Sequence, residues 1–374
     1  MNDALANNVT ATDPAAPALP ADGRFGSGPS KVRREQIAAI GAPGSPMGTS
    51  HRRPGVRDVV GSIRKGLMEL YNAPEDYTVL LGNGGATALW DAITFCLIED
   101  KAQCAVMGEF SGKAARAVKR APWLAEPEII EVEPGGLAVC STTPGIDTYL
   151  YAHNETSTGA ISPLRRYGDD AALTIVDGTS VAGGQVIDVA DVDFYYFSPQ
   201  KCFGADGGLW LAFASPAALE RIAKLVEERW VPDFFNLQIA VNNSLKNQTY
   251  NTPALATLIM LNEQIKWMLA NGGLAGMEAR SRESSSAVYE WAENHPLVQP
   301  LIKDPVARSH VVTTLRCAPE AQITKVLADL RDLGVVDIEP YRSLGADGMR
   351  ISTFPSVDPD DVKKLLSLLD SALI

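Results

Sequence analysis

From about residue 24 to residue 270, short apolar runs alternate with stretches whose apolar positions recur at helical spacing, the pattern of an α/β domain built from crossover units. The runs "YTVLLG" (77–82), "CAVMG" (104–108), "TYLYAH" (148–153), "LTIVD" (173–177), "DFYYFS" (193–198) and "GLWLAFAS" (208–215) read as strands. Several are apolar on both faces, which predicts a sheet covered by helices on two sides. The stretch "NTPALATLIMLNEQIKWMLANGG" predicts a helix with Thr252 as N-cap, Pro253 as first helical residue and Gly272 or Gly273 as its stop. Leu258, Leu261, Ile265 and Met268 form its core face. Beyond Gly273 the texture changes: helices near 276–292, 319–333 and 358–371 accompany strands at "HVVTTLRC" (310–317) and "MRISTF" (349–354), a smaller α+β unit.

A chain of 374 residues exceeds the usual size of one hydrophobic core. The pattern divides it into a large domain over 24–272, whose first segment is free to pack on the small domain, and a small domain over 273–374. Residues 1–23, rich in Ala, Pro, Asn and Asp without periodicity, are predicted to be a disordered tail.

The net charge of −12 leaves no global basic field to hold nucleic acid or an anionic membrane, so an anionic ligand must be caught by local positive charge. The five cysteines are scattered, with no CxxC pair and no Cys/His ligand spacing, and read as buried free thiols rather than a metal site. No run approaches a membrane span, and the N-terminus lacks the basic-then-apolar layout of a signal peptide; a cytoplasmic protein is the simplest expectation.

Candidate chemistry starts at "FYYFSPQKCFGADGG" (194–208), where Lys201 follows an apolar strand and precedes glycines. Lysine is seldom buried without a partner, so Lys201 is either a surface residue in a turn or a functional amine. Asp177 closes "LTIVD" ahead of Gly178, Thr179 and Ser180, and in an open α/β sheet ligands sit outside the carboxyl ends of the strands, where both residues fall. In "LLGNGGATALW" a strand runs into Gly82, Gly84 and Gly85 and a helix from about Thr87, a turn whose amides can cradle phosphate. It is neither a GxGxxG nor a P-loop. Together, a phosphate cradle, a strand-end Asp and a strand-end Lys match the needs of pyridoxal 5'-phosphate: a phosphate anchor, a partner for the pyridine nitrogen and a reactive amine.

In that light the ordered motifs "FGSGPSK", "MGTSHR", "GNGGAT", "HNETSTG", "IVDGTS", "SPQK" and "YNTPALA" resemble the phosphoserine aminotransferases, and their actinobacterial-like variant in particular. These belong to the class V branch of the fold-type I pyridoxal-phosphate enzymes, and the likeness runs from about Arg24 to the C-terminal helix. The resemblance implies that Lys201 attaches the cofactor and shuttles the proton, and that Asp177 partners the pyridine nitrogen, with Thr179 beside it. It further implies a bond from Thr156 to the phenolic oxygen, Phe110 stacked on the ring, and phosphate held by Gly85, Ala86 and Thr87 with help from Gln200. Asn251 and Thr252 would reach the phosphate of a partner subunit, so the active site would be complete only in a homodimer. His51 and Arg52, in "SHRRPGVR", would cross the dimer to the substrate phosphate, and Arg350 would take the α-carboxylate. The bland alternatives are a solvated basic turn for His51 and Arg52, a structural ion pair for Arg350 and plain helix capping for Thr252.

The chain departs from the family in two places. Ala86 stands where many members carry arginine, and "YRSLGAD" replaces a histidine ahead of Arg350, so substrate phosphate must lean on His51 and Arg52, with Arg53 or Arg342 as further candidates. The resemblance implies transfer of an amino group from L-glutamate to 3-phosphohydroxypyruvate, and leaves open the phosphohydroxythreonine analogue of pyridoxine biosynthesis. The rivals are a serine or alanine:glyoxylate aminotransferase of the same class, a non-catalytic descendant of the fold, and a dehydrogenase, against which the missing GxGxxG speaks. A cysteine desulfurase ranks below them, because Gln200 rather than His precedes Lys201.

Overall fold

The computed structural model describes residues 17–373. The larger sheet is seven-stranded, from β1 (Thr78–Asn83), β2 (Ala102–Val106), β3 (Glu128–Glu131) and β4 (Thr148–Ala152), past a short hairpin of β5 (Asn154–Glu155) and β6 (Ala160–Ile161), to β7 (Leu173–Asp177), β8 (Phe194–Phe197) and β9 (Leu209–Ala214). The spatial order is β1-β9-β8-β7-β4-β2-β3, with β9 antiparallel to both its neighbours and the other pairs parallel. All six strands predicted in this region are present within two residues of their expected ends.

Alternate residues of these strands enter opposite cores, as the two-residue period requires. On one face Leu81, Tyr151, Val176, Tyr195 and Phe213 pack with Val60, Ile63 and Leu67 of α2 (Pro54–Leu70), which follows the short α1 (Arg34–Ile40). On the other face Leu80, Leu150, Ile175, Tyr196 and Ala212 meet α3 (Gly85–Cys96), α4 (Glu109–Arg120), α5 (Pro216–Glu228) and α6 (Leu237–Ser244). The expected core residues Leu258, Leu261, Ile265 and Met268 lie on α7 (Leu255–Ala270) and join the first face.

Two helix starts differ from the sequence reading. Thr252 does not cap α7, whose N-cap is Ala254 without a side-chain bond. Asn83 Nδ2 donates to Asn251 Oδ1 at 2.9 Å and to the Thr252 carbonyl at 2.8 Å, which ties the segment ahead of Pro253 to the end of β1, and the helix starts only at Leu255. Helix α3 begins at Gly85 rather than Thr87, because Gly84 (φ +109°) and Gly85 (φ +67°) make the left-handed turn that lets the helix start sooner.

The C-terminal unit has α8 (Gly273–Asn294), a three-stranded antiparallel sheet of β10 (Val298–Pro300), β11 (Val312–Cys317) and β12 (Gly348–Ser352), and helices α9 (Ile323–Asp332) and α10 (Pro359–Ala372). The single helix expected over 319–333 is a 3₁₀ turn and α9, separated at Gln322 with φ +45°. The N-terminal segment packs into this unit: Phe25 is fully buried in its core, and the Ser352 N–H donates to the Phe25 carbonyl at 3.0 Å. Most of the stretch read as a disordered tail, residues 1–16, lies outside the described residues. Within 17–23 the Ala21 and Asp22 amides donate to the Asp361 carboxylate at 2.7 and 3.2 Å, so this end of the stretch is tied to α10. The five cysteines are free and buried. Among the described residues no helix is long and apolar enough to cross a membrane, and no cluster of metal-ligating side chains occurs.

Candidate active site at the carboxyl ends of β7 and β8

Strands β7 and β8 run parallel with Asp177 opposite Tyr196, so both deliver their ends to one side of the sheet. The turn after β8 carries Ser198, Pro199, Gln200 and Lys201. Lys201 is only 8% exposed, and its Nζ donates to the Ser27 carbonyl at 2.7 Å. Burial, followed by the charge of Arg350, lowers the amine from its usual 10.5 to about 8. That is the direction desolvation must drive a lysine, and it raises the neutral, nucleophilic fraction at neutral pH.

The segment "FGSGPSK" lies across this lysine. The Ser30 N–H donates to the Gln200 carbonyl at 2.9 Å, and Ser30 Oγ to the Lys201 carbonyl at 2.8 Å. A Cβ on Gly28, which has φ +130°, would stand 1.8 Å from Lys201 Nζ, so glycine is required by the approach of the lysine itself.

Asp177 is equally buried, and its Oδ1 accepts the Thr179 N–H at 2.9 Å. Burial pushes the Asp177 carboxyl above its usual range, while the Thr179 amide holds it back. Such a carboxyl pairs strongly with any cation brought against it, because little water competes.

The glycine turn lies against the lysine loop: the Ala86 N–H, in the first turn of α3, donates to Ser198 Oγ at 2.7 Å. The other amides of that helix start face a site for negative charge. Phe110, at the start of α4, places its ring centroid 5.9 Å from Lys201 Nζ and packs edge-on against Tyr341 at 5.5 Å. Thr156 is buried in the turn between β5 and β6, and its carbonyl accepts Arg350 Nη1 at 2.8 Å. Arg350, within β12, has its guanidinium 5.3 Å from the Tyr341 ring, and burial lowers its proton affinity.

The remaining predicted residues form a second group. His51 Nδ1 lies 3.4 Å from Thr252 Oγ1, while Arg52 donates to Gln248 Oε1 at 2.9 Å and to the Tyr250 carbonyl at 3.3 Å. Asn83, at the end of β1, joins Asn251 and Thr252 to the edge of the glycine turn. This group does not touch Lys201, and Arg342 joins neither group: it is exposed, with its guanidinium 5.8 Å from the Tyr341 ring. Burial and the neighbouring Arg52 both lower the proton affinity of His51.

Sequence reasoning missed Ser27, Asn83, Glu155, Ser198 and Tyr341. Ser27, Asn83, Glu155 and Ser198 lie within the family motifs, but nothing in residue type separates them from ordinary turn or surface positions. Tyr341 lay in the segment noted only as a departure.

Pyridoxal phosphate fits these residues. Ser27 Oγ, Thr179 Oγ1, Gln200 Oε1 and Arg350 Nε are buried without a partner, around an amine whose one bond is to a main-chain carbonyl. Polar atoms of this kind, gathered around one amine, suit a polar occupant.

Fold and site together define an aminotransferase of fold type I. The match to the family described as aminotransferase class-V extends over residues 38–329, and the chain belongs to that family. A phosphoserine aminotransferase of Corynebacterium glutamicum (strain R) is 54% identical over 358 residues, 95% of each chain, which places this chain among the phosphoserine aminotransferases. A solved phosphoserine aminotransferase from Cytophaga hutchinsonii superposes with a TM-score of 0.84 at 23% identity, over 94% of this chain and 99% of that one. The PLP-bound phosphoserine aminotransferase of Trichomonas vaginalis gives 0.77 at 22% identity, over 93% and 99%. At these identities the two structures speak for the fold alone.

Proposed function

We propose that this chain transfers the amino group of L-glutamate to 3-phosphohydroxypyruvate, reversibly, giving O-phospho-L-serine and 2-oxoglutarate in serine biosynthesis, as a pyridoxal-phosphate-dependent homodimer of the cytoplasm. The observation that carries the chemistry is a buried lysine of lowered proton affinity facing a strand-end aspartate beside a helix start. The relatives' names carry the substrate.

The bound cofactor supplies the electron sink and the carrier for the amino group. Lys201 Nζ would hold it and, as a neutral amine, could carry the proton taken from the substrate α-carbon. The buried Asp177 carboxyl would pair with the ring nitrogen and keep it protonated. Thr156, Gln200 and the first turn of α3 would orient the oxygen and phosphate substituents, and Phe110 would keep water from the ring. Arg350 offers a guanidinium with a free Nε, suited to a carboxylate fork.

Titration of the purified protein with O-phospho-L-serine, L-serine and L-alanine tests the substrate, following bleaching of the yellow cofactor band. The phosphorylated amino acid is expected to bleach it at far lower concentration. Equal response to alanine or serine sinks the assignment and favours the glyoxylate-type aminotransferases. Acceptance of the phosphohydroxythreonine analogue is read in the same assay with that compound.

The homodimer reading is supported by the second group. His51, Arg52, Asn251 and Thr252 sit beside exposed Tyr250 and near Phe234, whose ring comes within 3.4 Å of where a Gly84 Cβ would stand. Trp230, 80% exposed, is four residues away in sequence. Exposed aromatic surface next to the basic pair His51 and Arg52, which makes no hydrogen bond to the Lys201 site, suits an interface that completes the neighbour's site. Mixing Lys201→Ala chains with His51→Ala/Arg52→Ala chains, each inactive alone, is then expected to restore activity. Random exchange makes half the dimers hybrid with one intact site in two, so about a quarter of wild-type activity returns. No recovery after confirmed exchange would place both groups in one subunit's site.

A further inference from the structure

Glu155 is fully buried, and the mechanism above gives it no role. Its carboxylate accepts five bonds. Oε1 takes the Phe110 N–H at 3.3 Å, the Ser157 N–H at 3.1 Å and Ser157 Oγ at 2.7 Å. Oε2 takes the Ser111 N–H at 2.9 Å and Ser111 Oγ at 2.7 Å. Three of these donors are main-chain amides that can only donate, so both oxygens act as acceptors, the pattern of a carboxylate rather than an acid. Every one of the donors is neutral.

The placement is specific. Phe110 and Ser111 open α4, so Glu155 occupies that helix's positive end. A Cβ on Gly108 would stand 2.5 Å from Glu155 Cγ, so the residue before the helix is glycine because the glutamate fills that space. Thr156, next in sequence, gives its carbonyl to Arg350. One carboxylate therefore braces the aromatic ring nearest Lys201 and the turn that holds the carboxylate-binding arginine. Its negative charge also acts on both cations, raising the proton affinity of Lys201 and of Arg350 against the effect of burial.

We propose that Glu155 is a positioning residue for amino transfer: it fixes Phe110 and Thr156 at the cofactor site and places a buried carboxylate beside the aromatic ring that Lys201 faces. The inference rests on the reading of Lys201 as the cofactor's attachment point.

Glu155→Gln tests it, since an amide nitrogen must then face donors on whichever oxygen it replaces. Three measurements decide. Borohydride reduction of wild-type holoenzyme, read by peptide mass, should fix the cofactor on Lys201. Hydrogen exchange of the apo-protein should show the Phe110 and Ser111 amides exchanging at least tenfold faster in the variant, with the large sheet's protection unchanged. The pH midpoint of the holoenzyme's visible band should move down by about half a unit or more, because loss of a nearby negative charge weakens proton binding at the Lys201 nitrogen. Should Glu155→Gln not fold, Glu155→Ala, which removes the charge and leaves room for water at the freed amides, is read in its place and should give the same two changes.

Faster exchange with an unmoved midpoint would make Glu155 a helix cap and overturn the proposal, as would no change in either. Cofactor fixed elsewhere than Lys201 would overturn the reading beneath it, a failure distinguishable because it appears in the wild type.

Discussion

Replacing Lys201 by alanine is expected to lower kcat by about 10⁴-fold, the upper end of what a positioned acid–base group supplies, because the same side chain also anchors the cofactor. Arginine should rescue nothing: a guanidinium stays charged at any working pH and cannot give up the proton that the amine must shed. Single-turnover bleaching of reconstituted enzyme by O-phospho-L-serine is the measurement, and residual activity above about a tenth of wild type would remove Lys201 from the chemistry. The environment of the amine adds a second signature in the wild-type apo-protein. Only the neutral amine attacks an aldehyde, and burial sets its titration near 8. The rate of cofactor uptake should therefore climb as pH rises through 8 and flatten above it; an ordinary exposed lysine would still be climbing two units higher.

How far the sequence anticipates this site depends on what kind of information each residue carries. The end of β7 at Asp177 was legible because "LTIVD" is apolar on both faces and stops at a charge, a pattern that burial imposes directly. Edge strand β3, with sequence EIIE and alternate residues half-buried, passed unread because a short strand with polar ends resembles a loop. Thr252 showed the limits of local rules. Thr-Pro ahead of an apolar helix is a sound capping signal, yet Asn83, 169 residues away, claims the Thr252 carbonyl and shifts the helix start. Glu155 was hidden for a similar reason. Its role lies in the amides of α4, 44 and 45 residues earlier, and nothing local distinguishes a glutamate that caps a distant helix from one that faces water. The grouping of His51 and Arg52 with Asn251 and Thr252 likewise needed the tertiary fold. Resemblance supplied these four residues, and the geometry adds that they lie together beside the glycine turn and make no hydrogen bond to Lys201.

Asp177→Asn is expected to cost about 3 kcal/mol or more of transition-state stabilisation, the scale for losing one partner of a buried ion pair. That is roughly a 10²-fold or greater fall in kcat. The substitution is nearly isosteric, and its carbonyl oxygen can keep the Thr179 N–H bond now at 2.9 Å, so the fold should survive. The stability of the two states of the protein separates a charge role from a packing role. Without cofactor, Asp177 is a buried carboxyl whose proton affinity is raised above the unfolded value. A group of that kind favours the folded state below its unfolded value of 3.8, and that advantage is lost as pH rises through the folded value. At neutral pH the burial of Asp177 therefore weighs against the apo fold, and asparagine should leave the apo-protein's Tm unchanged or raise it. With cofactor bound, the same carboxylate faces a protonated ring nitrogen and the sign reverses, so the variant should lose much of the Tm increase that cofactor gives the wild type. Calorimetry of both proteins with and without pyridoxal phosphate measures the two effects together. An equal drop in Tm for the apo and holo forms would reduce Asp177 to a packing residue, and an unchanged kcat would remove it from the reaction.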